Sequence, residues 1–350
     1  GTGTRERLGG VDTQYFIRGF SSEFSYRNGK RDYAEGQVNL NTTETIEVLK
    51  GPSSVQFGVN SPGGIVNYTT KKPQSETMLS AKVLLDEHGK RELIADATGS
   101  ANDANNLLYR LILSVDDSEG YRDNSDSESY TIAPSLTYLL SEKTTFNAAL
   151  EVSRTKLPVD RGLPIGHFSD GSQAIMNVPK TFALHEIGDV SIDKKTQLDL
   201  SLTQQLNTNW RGELSYSYHQ WDGSWQDVQM DELFTESGEL PIYGTTIPFI
   251  AGDTIRAAVG YIDKEQRVHQ ATAQLFGEFS FAGMQHKITT GIDYSSAEND
   301  QIWGTGDTQS PPFFNIFNPI YGQICVAICM RFSCTKSITI FIKPVFFCRR

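Results

Sequence analysis

The sequence predicts an all-β transmembrane barrel, with about nine antiparallel strands between Met78 and Asn299, preceded by a compact unit of short strands and tight turns. Two observations carry this reading. Strand-length segments alternate apolar and polar residues with a period of two, and the connections between them run short and long in strict turn. Hydropathy agrees: no apolar run approaches the ~18–20 residues that a membrane helix needs, as expected where only alternate residues face lipid.

Segments near 79–86 and 91–99 open the series. Leu107, Tyr109, Leu111, Leu113 and Val115 then share one face. In 130–138, Tyr130, Ile132, Pro134, Leu136 and Tyr138 oppose Thr131, Ala133, Ser135 and Thr137. Such a segment, tilted, matches the hydrocarbon thickness, and its terminal tyrosines suit the two interfaces. Pro134 has no N–H for the ladder, so a bulge or local irregularity is expected there. Phe146, Ala148, Leu150 and Val152 continue the pattern, followed by Leu198, Leu200 and Leu202. Trp210, Leu214, Tyr216 and Tyr218 alternate with Arg211, Glu213, Ser215, Ser217 and His219. Ala271, Ala273, Leu275, Phe279 and Phe281 form a further face, and Ile288, Ile292 and Tyr294 the last. Short connections fall near Ser100–Asn106, Ser141–Thr144, Asn207–Asn209 and Ala282–Gln285. Long ones fall near Asp116–Glu128, Pro158–Ser191 and Asp222–Asp263, and beyond Glu298. A soluble β-sandwich would give the same alternation; the loop lengths decide for a barrel with short turns at one rim.

Before Pro73 the punctuation is different. Ile46-Glu47-Val48-Leu49-Lys50 leads into Gly51-Pro52, Gly58 and Ser61-Pro62-Gly63-Gly64, and an extended run from Ile65 ends at Lys71-Lys72-Pro73. Pro fixes φ and Gly opens positive φ, so this reads as strand, turn, connection, turn, strand.

The net charge of −11 excludes a nucleic-acid binder, which would show a basic patch. Residues 324–350 differ from the rest: they hold Arg331, Lys336, Lys343, Arg349 and Arg350, no acid, and all four cysteines, leaving 1–323 at −16. A thiol-free 1–323 suits an oxidising compartment. Cys325, Cys329, Cys334 and Cys348 match no compact zinc spacing, and this stretch is expected to be an anomalous basic tail from a frameshift or truncation.

No catalytic centre is expected. After His185-Glu186 the second histidine of a zinc-protease helix is replaced by Asp189. Asp123, Ser125 and Ser127 are spaced like calcium-loop ligands, but Glu128 stands where Gly is required. Gly51-Pro52-Ser53-Ser54 lacks the closing Gly of a nucleophile elbow.

The ordered string 46–73, with Phe16-Ile17-Arg18-Gly19-Phe20 and Arg27-Asn28-Gly29-Lys30-Arg31-Asp32-Tyr33 upstream of it, resembles the end of the plug domain of TonB-dependent outer-membrane receptors, in particular their ferric-siderophore branch. Asp160-Arg161-Gly162-Leu163-Pro164 resembles the same branch. The resemblance covers roughly 11–323 and implies three regions: 1–75 as the C-terminal part of a mixed α/β plug, 76–323 as the start of a 22-stranded barrel, and 324–350 as the foreign tail. It also implies a signal peptide, an energy-coupling box and the first half of the plug upstream of Gly1.

Site residues follow from the resemblance. A siderophore brings its iron already fully coordinated, so aromatic surfaces and donors are expected instead of metal ligands, and no cofactor. Phe24, Tyr26, Arg31, Tyr33 and Gly36 are expected at the plug apex facing the ligand, although on sequence alone each aromatic is more often a core or turn-flanking residue. Arg18 and Lys50, with Glu47, are expected to lock the plug to acidic barrel residues, the alternative being salt bridges within the plug. Trp221 and Trp225 would be ligand-facing or, with the larger share, part of the interfacial girdle. The implied function is import of a ferric siderophore across the outer membrane of a Gram-negative bacterium by a monomer, powered by the inner-membrane TonB complex, with outer-membrane lipid around it. Vitamin B12, haem or oligosaccharide receptors are the alternative within the class, and a passive barrel or a phage and colicin docking protein outside it.

Overall fold

The computed structural model describes residues 2–7, 12–22, 25–32, 38–51, 62–242, 245–281, 284–308, 313–322, 326–332 and 337–349. In the first unit, β1 (Thr2–Arg7), β2 (Asp12–Ile17) and β3 (Phe20–Ser22) form one antiparallel sheet. Between β2 and β3, Arg18 (φ 55°) and Gly19 (φ 84°) make a two-residue turn with both central residues left-handed, the geometry that matches strand twist. The same turn recurs at Asn28-Gly29 (φ 52° and 79°), between β4 (Ser25–Arg27) and β5 (Lys30–Asp32), where Asn-Gly is the expected pair. With β6 (Thr43–Lys50) and β7 (Gly64–Thr70) these form a sheet of order β5-β4-β7-β6, in which β4 and β7 run parallel. Ile17, Val66 and Tyr68 are its buried core, with Tyr15 and Val38 against them. The Gly63-Gly64 pair has a steric reason: a Cβ at Gly63 would meet the Ile17 carbonyl oxygen, and one at Gly64 the Leu49 carbonyl oxygen. No helix occurs among the described residues, so the α part of the expected mixed plug has no counterpart there.

The second unit is a twelve-stranded sheet. Its consecutive strands are β8 (Met78–Leu85), β9 (Arg91–Ser100), β10 (Leu107–Ser118), β11 (Ser127–Ser141) and β12 (Thr144–Pro158). A side hairpin, β13 (Ile165–His167) and β14 (Gln173–Ile175), interrupts before β15 (Val190–Gln205) and β16 (Trp210–Leu233). A second side hairpin, β17 (Gly238–Ile242) and β18 (Thr245–Phe249), precedes β19 (Asp253–Phe281) and β20 (Met284–Thr308). The short β21 (Phe313–Asn315) pairs with β19, while β22 (Val326–Phe332) and β23 (Ser337–Arg349) both pair antiparallel with β20. From β8 to β20 every neighbour in the main sheet is the next main-sheet strand in sequence, always antiparallel. The basic tail thus lies beside β20 as a further strand position.

The register proves the outward face. Leu107 faces Tyr138, Tyr138 faces Phe146, Phe146 faces Leu202, Leu202 faces Leu214, Leu214 faces Ala273, and Ala273 faces Ile292. An unbroken apolar row therefore runs from β10 to β20. Exposure is inverted relative to a water-soluble protein: Tyr109, Leu111, Leu113, Ile132, Leu214 and Ile292 are exposed, while Asp96, Arg110, Glu151, Gln197, His219 and Thr272 are buried. Apolar outside and polar inside is what a lipid-facing wall with an aqueous lumen requires.

One detail takes a particular form of what was expected, a local irregularity, and a second differs from expectation. At Pro134 the pairing with β12 is interrupted, since Ala133 and Pro134 have no partner between the Ile132–Val152 and Ser135–Ala149 pairs, yet the register is unchanged. The shift lies instead between Leu139 and Ser141. Secondly, most of the long loop expected at Asp222–Asp263 is strand, with β16 and β19 paired out to Leu233 and Thr254. At about 3.3 Å per residue, the 24 residues of β16 are over twice the ~9–11 that span a membrane. Beyond the lipid the outward face has no need of apolar residues, so the alternation fades while pairing continues.

Replacing outward Leu111 by Arg is expected to lower stability by about 2–4 kcal/mol in bilayers. Replacing inward Ser114 by Thr should change it little. Denaturant titration of the two variants in liposomes checks this, and equal effects would contradict the assigned faces.

Candidate functional site: the plug hairpin, the wall and the vestibule

The β4–β5 hairpin presses a run of charged residues against the inner wall. Arg27 donates from Nη2 to Glu151 Oε2 on β12 at 3.1 Å and from Nε to Asp199 Oδ2 on β15 at 3.4 Å. Thr42 also donates to Glu151 Oε2, at 3.0 Å. Lys30 lies 3.8 Å from Glu213 on β16. Burial pulls the Lys30 ammonium below the ordinary lysine range, and Glu213, Asp199 and Asp293 act against that. Between hairpin and wall is a cleft of about 30 Å³, lined by Arg27, Lys30, Arg31 and Asp32 on one side and Gln197, Asp199, Ser217, His219, Val268 and Gln270 on the other. Glu151 Oε1, Gln197 Oε1 and both ring nitrogens of His219 are buried without a hydrogen-bond partner. A polar cleft of this size suits water, which would satisfy such groups.

The exit from the plug is held differently. Arg110 on β10 grips Asp96 on β9 with two bonds of 2.8 and 2.7 Å, and donates to the Lys72 carbonyl at 3.0 Å. Lys71 Nζ reaches the same Asp96 at 3.2 Å. Gln74 N–H donates to Thr98 Oγ1 at 2.9 Å. This side is bidentate, with Arg110 and Asp96 both buried.

Above the plug, the inner wall carries aromatic and charged groups together. Trp221 donates through Nε1 to Asp193 at 3.0 Å, with Lys264 5.6 Å from its ring centre. Trp225 lies under Arg161 at 5.9 Å, and Arg161 pairs with the fully buried Asp227. Asp189 accepts the Glu186 and Val228 N–H groups at 2.8 and 2.9 Å, and burial pushes its carboxyl up to about 7. Outermost, Phe182, Phe314 and Ile316 form a second buried core with Met176, Val178 and Leu184 around it.

The expected site residues are distributed unevenly. Tyr26, expected to face a ligand, is 1% exposed and packs inside the plug, because it sits on the central strand of its sheet. Arg31 is half-buried and lines the cleft. Phe24, Tyr33 and Gly36 lie outside the described residues. Arg18 and Lys50 are exposed, and neither forms an ion pair with a described residue; Glu47 accepts from Asn67 within the plug at 2.9 Å. The wall is engaged instead by Arg27, Lys30 and Lys71, all inside the segments singled out in the sequence but not expected there to reach the wall. Their partners Glu151 and Asp199 carry a readable signal, since an ionisable residue within a membrane strand is costly unless it faces a lumen. Trp221 and Trp225 are inward and buried, not in the girdle. They share the odd parity of Glu213, Ser217 and His219, so the alternation already placed them inside.

A strand-built unit fastened by ion pairs against an antiparallel, lipid-facing wall is the arrangement of part of a plugged membrane barrel. Residues 1–65 match the TonB-dependent Receptor Plug Domain family. The metal-pseudopaline receptor of Pseudomonas aeruginosa strain UCBPP-PA14 is 29% identical over 286 residues, covering 81% of this chain and 37% of the receptor. The ferrichrome outer membrane transporter/phage receptor of Escherichia coli K12 is 23% identical over 333 residues, covering 87% and 42%. Among solved structures, the ferripyoverdine receptor of the Pseudomonas aeruginosa outer membrane superposes with a TM-score of 0.81 at 14% identity, over 100% of this chain and 46% of that one. The chain is thus similar to TonB-dependent outer-membrane receptors, with its first 65 residues matching their plug family, and it spans less than half the length of these relatives.

Two outcomes are expected. Arg27→Gln leaves Glu151 buried without its cation, a change that typically costs about 3–5 kcal/mol. It should loosen the hairpin while the barrel stays folded, read as faster exchange of a spin label at the Asn28-Gly29 turn, whereas Lys30→Gln should have a smaller effect. Asp189 favours its protonated form in the folded state, so its contribution to stability is full at low pH and is lost as pH rises through about 7. Wild-type melting temperature should therefore fall between about pH 5.5 and 8 by more than that of Asp189→Asn. Parallel curves would remove Asp189 as the titrating group.

Proposed function

We propose that this chain belongs to a receptor that captures a ferric siderophore or related metal chelate at the cell surface and releases it to the periplasm when TonB-supplied energy displaces the plug. The relatives named above for pseudopaline, ferrichrome and pyoverdine support this ligand class. The observation that carries the reading is the division of the lumen: a plug held by ion pairs beside a polar cleft, beneath an inner wall where the partly exposed Arg161 lies over the buried Trp225 ring. An anionic or oxygen-rich chelate fits aromatic faces and a guanidinium, which bind without replacing the iron ligands. The action is non-covalent binding and conformational change, with no group transfer. Receptors for vitamin B12, haem or oligosaccharide share the architecture, and a panel of ligands separates them.

Titration of the membrane-inserted receptor with ferrichrome, ferrioxamine B, a ferric catecholate, haem and cobalamin, followed by tryptophan quenching, tests the reading. One ferric chelate should bind, and Trp225→Ala and Tyr33→Ala should each weaken it about tenfold or more, as expected for an aromatic in a binding centre. Binding of haem or cobalamin alone would move the chain to the alternative class. Binding without energy-dependent uptake would make it a docking barrel.

A further inference from the structure

Three connections of the extracellular rim, 159–189, 234–252 and 313–322, meet above the wall, and one side chain ties most of them. Arg256 on β19 is 3% exposed. It donates to Glu186 at 2.5 Å and to the carbonyls of Ile320 (3.1 Å) and Phe313 (3.3 Å), and it lies 5.2 Å from the Phe314 ring centre. The other oxygen of Glu186 takes the Gly322 N–H at 2.9 Å. Glu186 stands in a turn closed by Asp189, whose own N–H donates back to the Glu186 carbonyl at 3.1 Å. Asp189 is bonded to both sides of the vestibule: its carboxylate to Val228 N–H on β16, and its carbonyl to Val159 N–H at 2.9 Å. Those two backbone positions lie within three residues of Trp225 and Arg161. A continuous path of short contacts runs from Arg256 to the Arg161–Trp225 pair.

The contacts along the path resist being parted one at a time. Glu186 and Arg256 side chains are each 1% exposed, and withdrawing either leaves the other charge buried alone, which is strongly unfavourable. The apolar centre formed by Phe182, Phe314 and Ile316 comes from two of the same connections, so it too is lost when they part. We propose that Arg256 is a positioning residue: it makes these connections one preassembled cap, closed before any ligand arrives, and through the Glu186–Asp189 turn it fixes Arg161 and Trp225 for the incoming chelate. The last clause rests on the function proposed above; the cap itself does not.

The test uses the membrane-inserted, ligand-free receptor and trypsin. Lys180 is exposed, but Phe182 and Ala183 beside it are buried, so cleavage there requires the cap to open locally. Arg256→Gln and Glu186→Gln should each speed cleavage after Lys180 about tenfold or more. Arg256→Lys, which keeps the charge but loses the fork, should fall between. Wild-type cleavage rates in both Gln variants, with an intact barrel, would overturn the proposal. Hydrogen exchange on the wild-type receptor covers the case in which a variant fails to insert: 182–189 and 313–322 should open at one common rate, and two unrelated rates would refute a single cap. Ferrioxamine B titration comes last. A normal cap that binds no chelate sinks the functional reading alone, whereas an unlinked cap with normal binding sinks this inference alone.

Discussion

Everything in this structure follows from placing a backbone where no water can bond to it. In hydrocarbon each unpaired N–H or C=O costs several kcal/mol, so each strand of the wall must pair with the next, and from β8 to β20 every one does. Once strands line the membrane, alternate side chains must be apolar, and the remaining half is left to face inward. The inner face can then afford charge. That is why Glu151, Asp199 and Glu213 lie on membrane strands at all, and why a cationic hairpin can be seated against them.

The charges of the lumen fall into two groups with different physics. Arg110 and Asp96 are buried, bidentate and joined to backbone, so separating them exposes nothing that water can quickly heal. Arg27 and Lys30 border a polar cleft large enough to hold water. The same kind of ion pair thus occurs in two settings, tied to backbone at one place and beside a polar cleft at the other.

Much of this was legible in the sequence. The period of two and the alternating loop lengths gave the wall and its faces, because a lipid-facing strand writes its environment into every second residue. Asn-Gly is a local turn pair, so the Asn28-Gly29 turn is written in the sequence as well. What was not legible was anything set by tertiary pairing. The long extensions of β16 and β19 lie outside lipid, where the alternation carries no signal. Tyr26 reads the same whether it faces a ligand or a core. That Arg27, and not Arg18, meets the wall depends on how the hairpin is turned, which no local pattern records. Trp221 and Trp225 are the instructive case, since their parity with His219 was present and the girdle expectation overrode it.

The double grip on Asp96 also bears on the order of assembly. Its partners come from the chain just before the wall, at Lys71, and from β10, 14 residues after Asp96. All three contacts are local by the standard of a large barrel and are complete once β10 has paired with β9. Closing such short loops is fast compared with pairing distant strands. β7 also ends at Thr70, immediately before this joint, and it carries β4 with it by parallel pairing. The plug sheet is therefore tethered to the wall while the greater part of the wall is still unmade, and the later strands wrap around an occupant already in its seat.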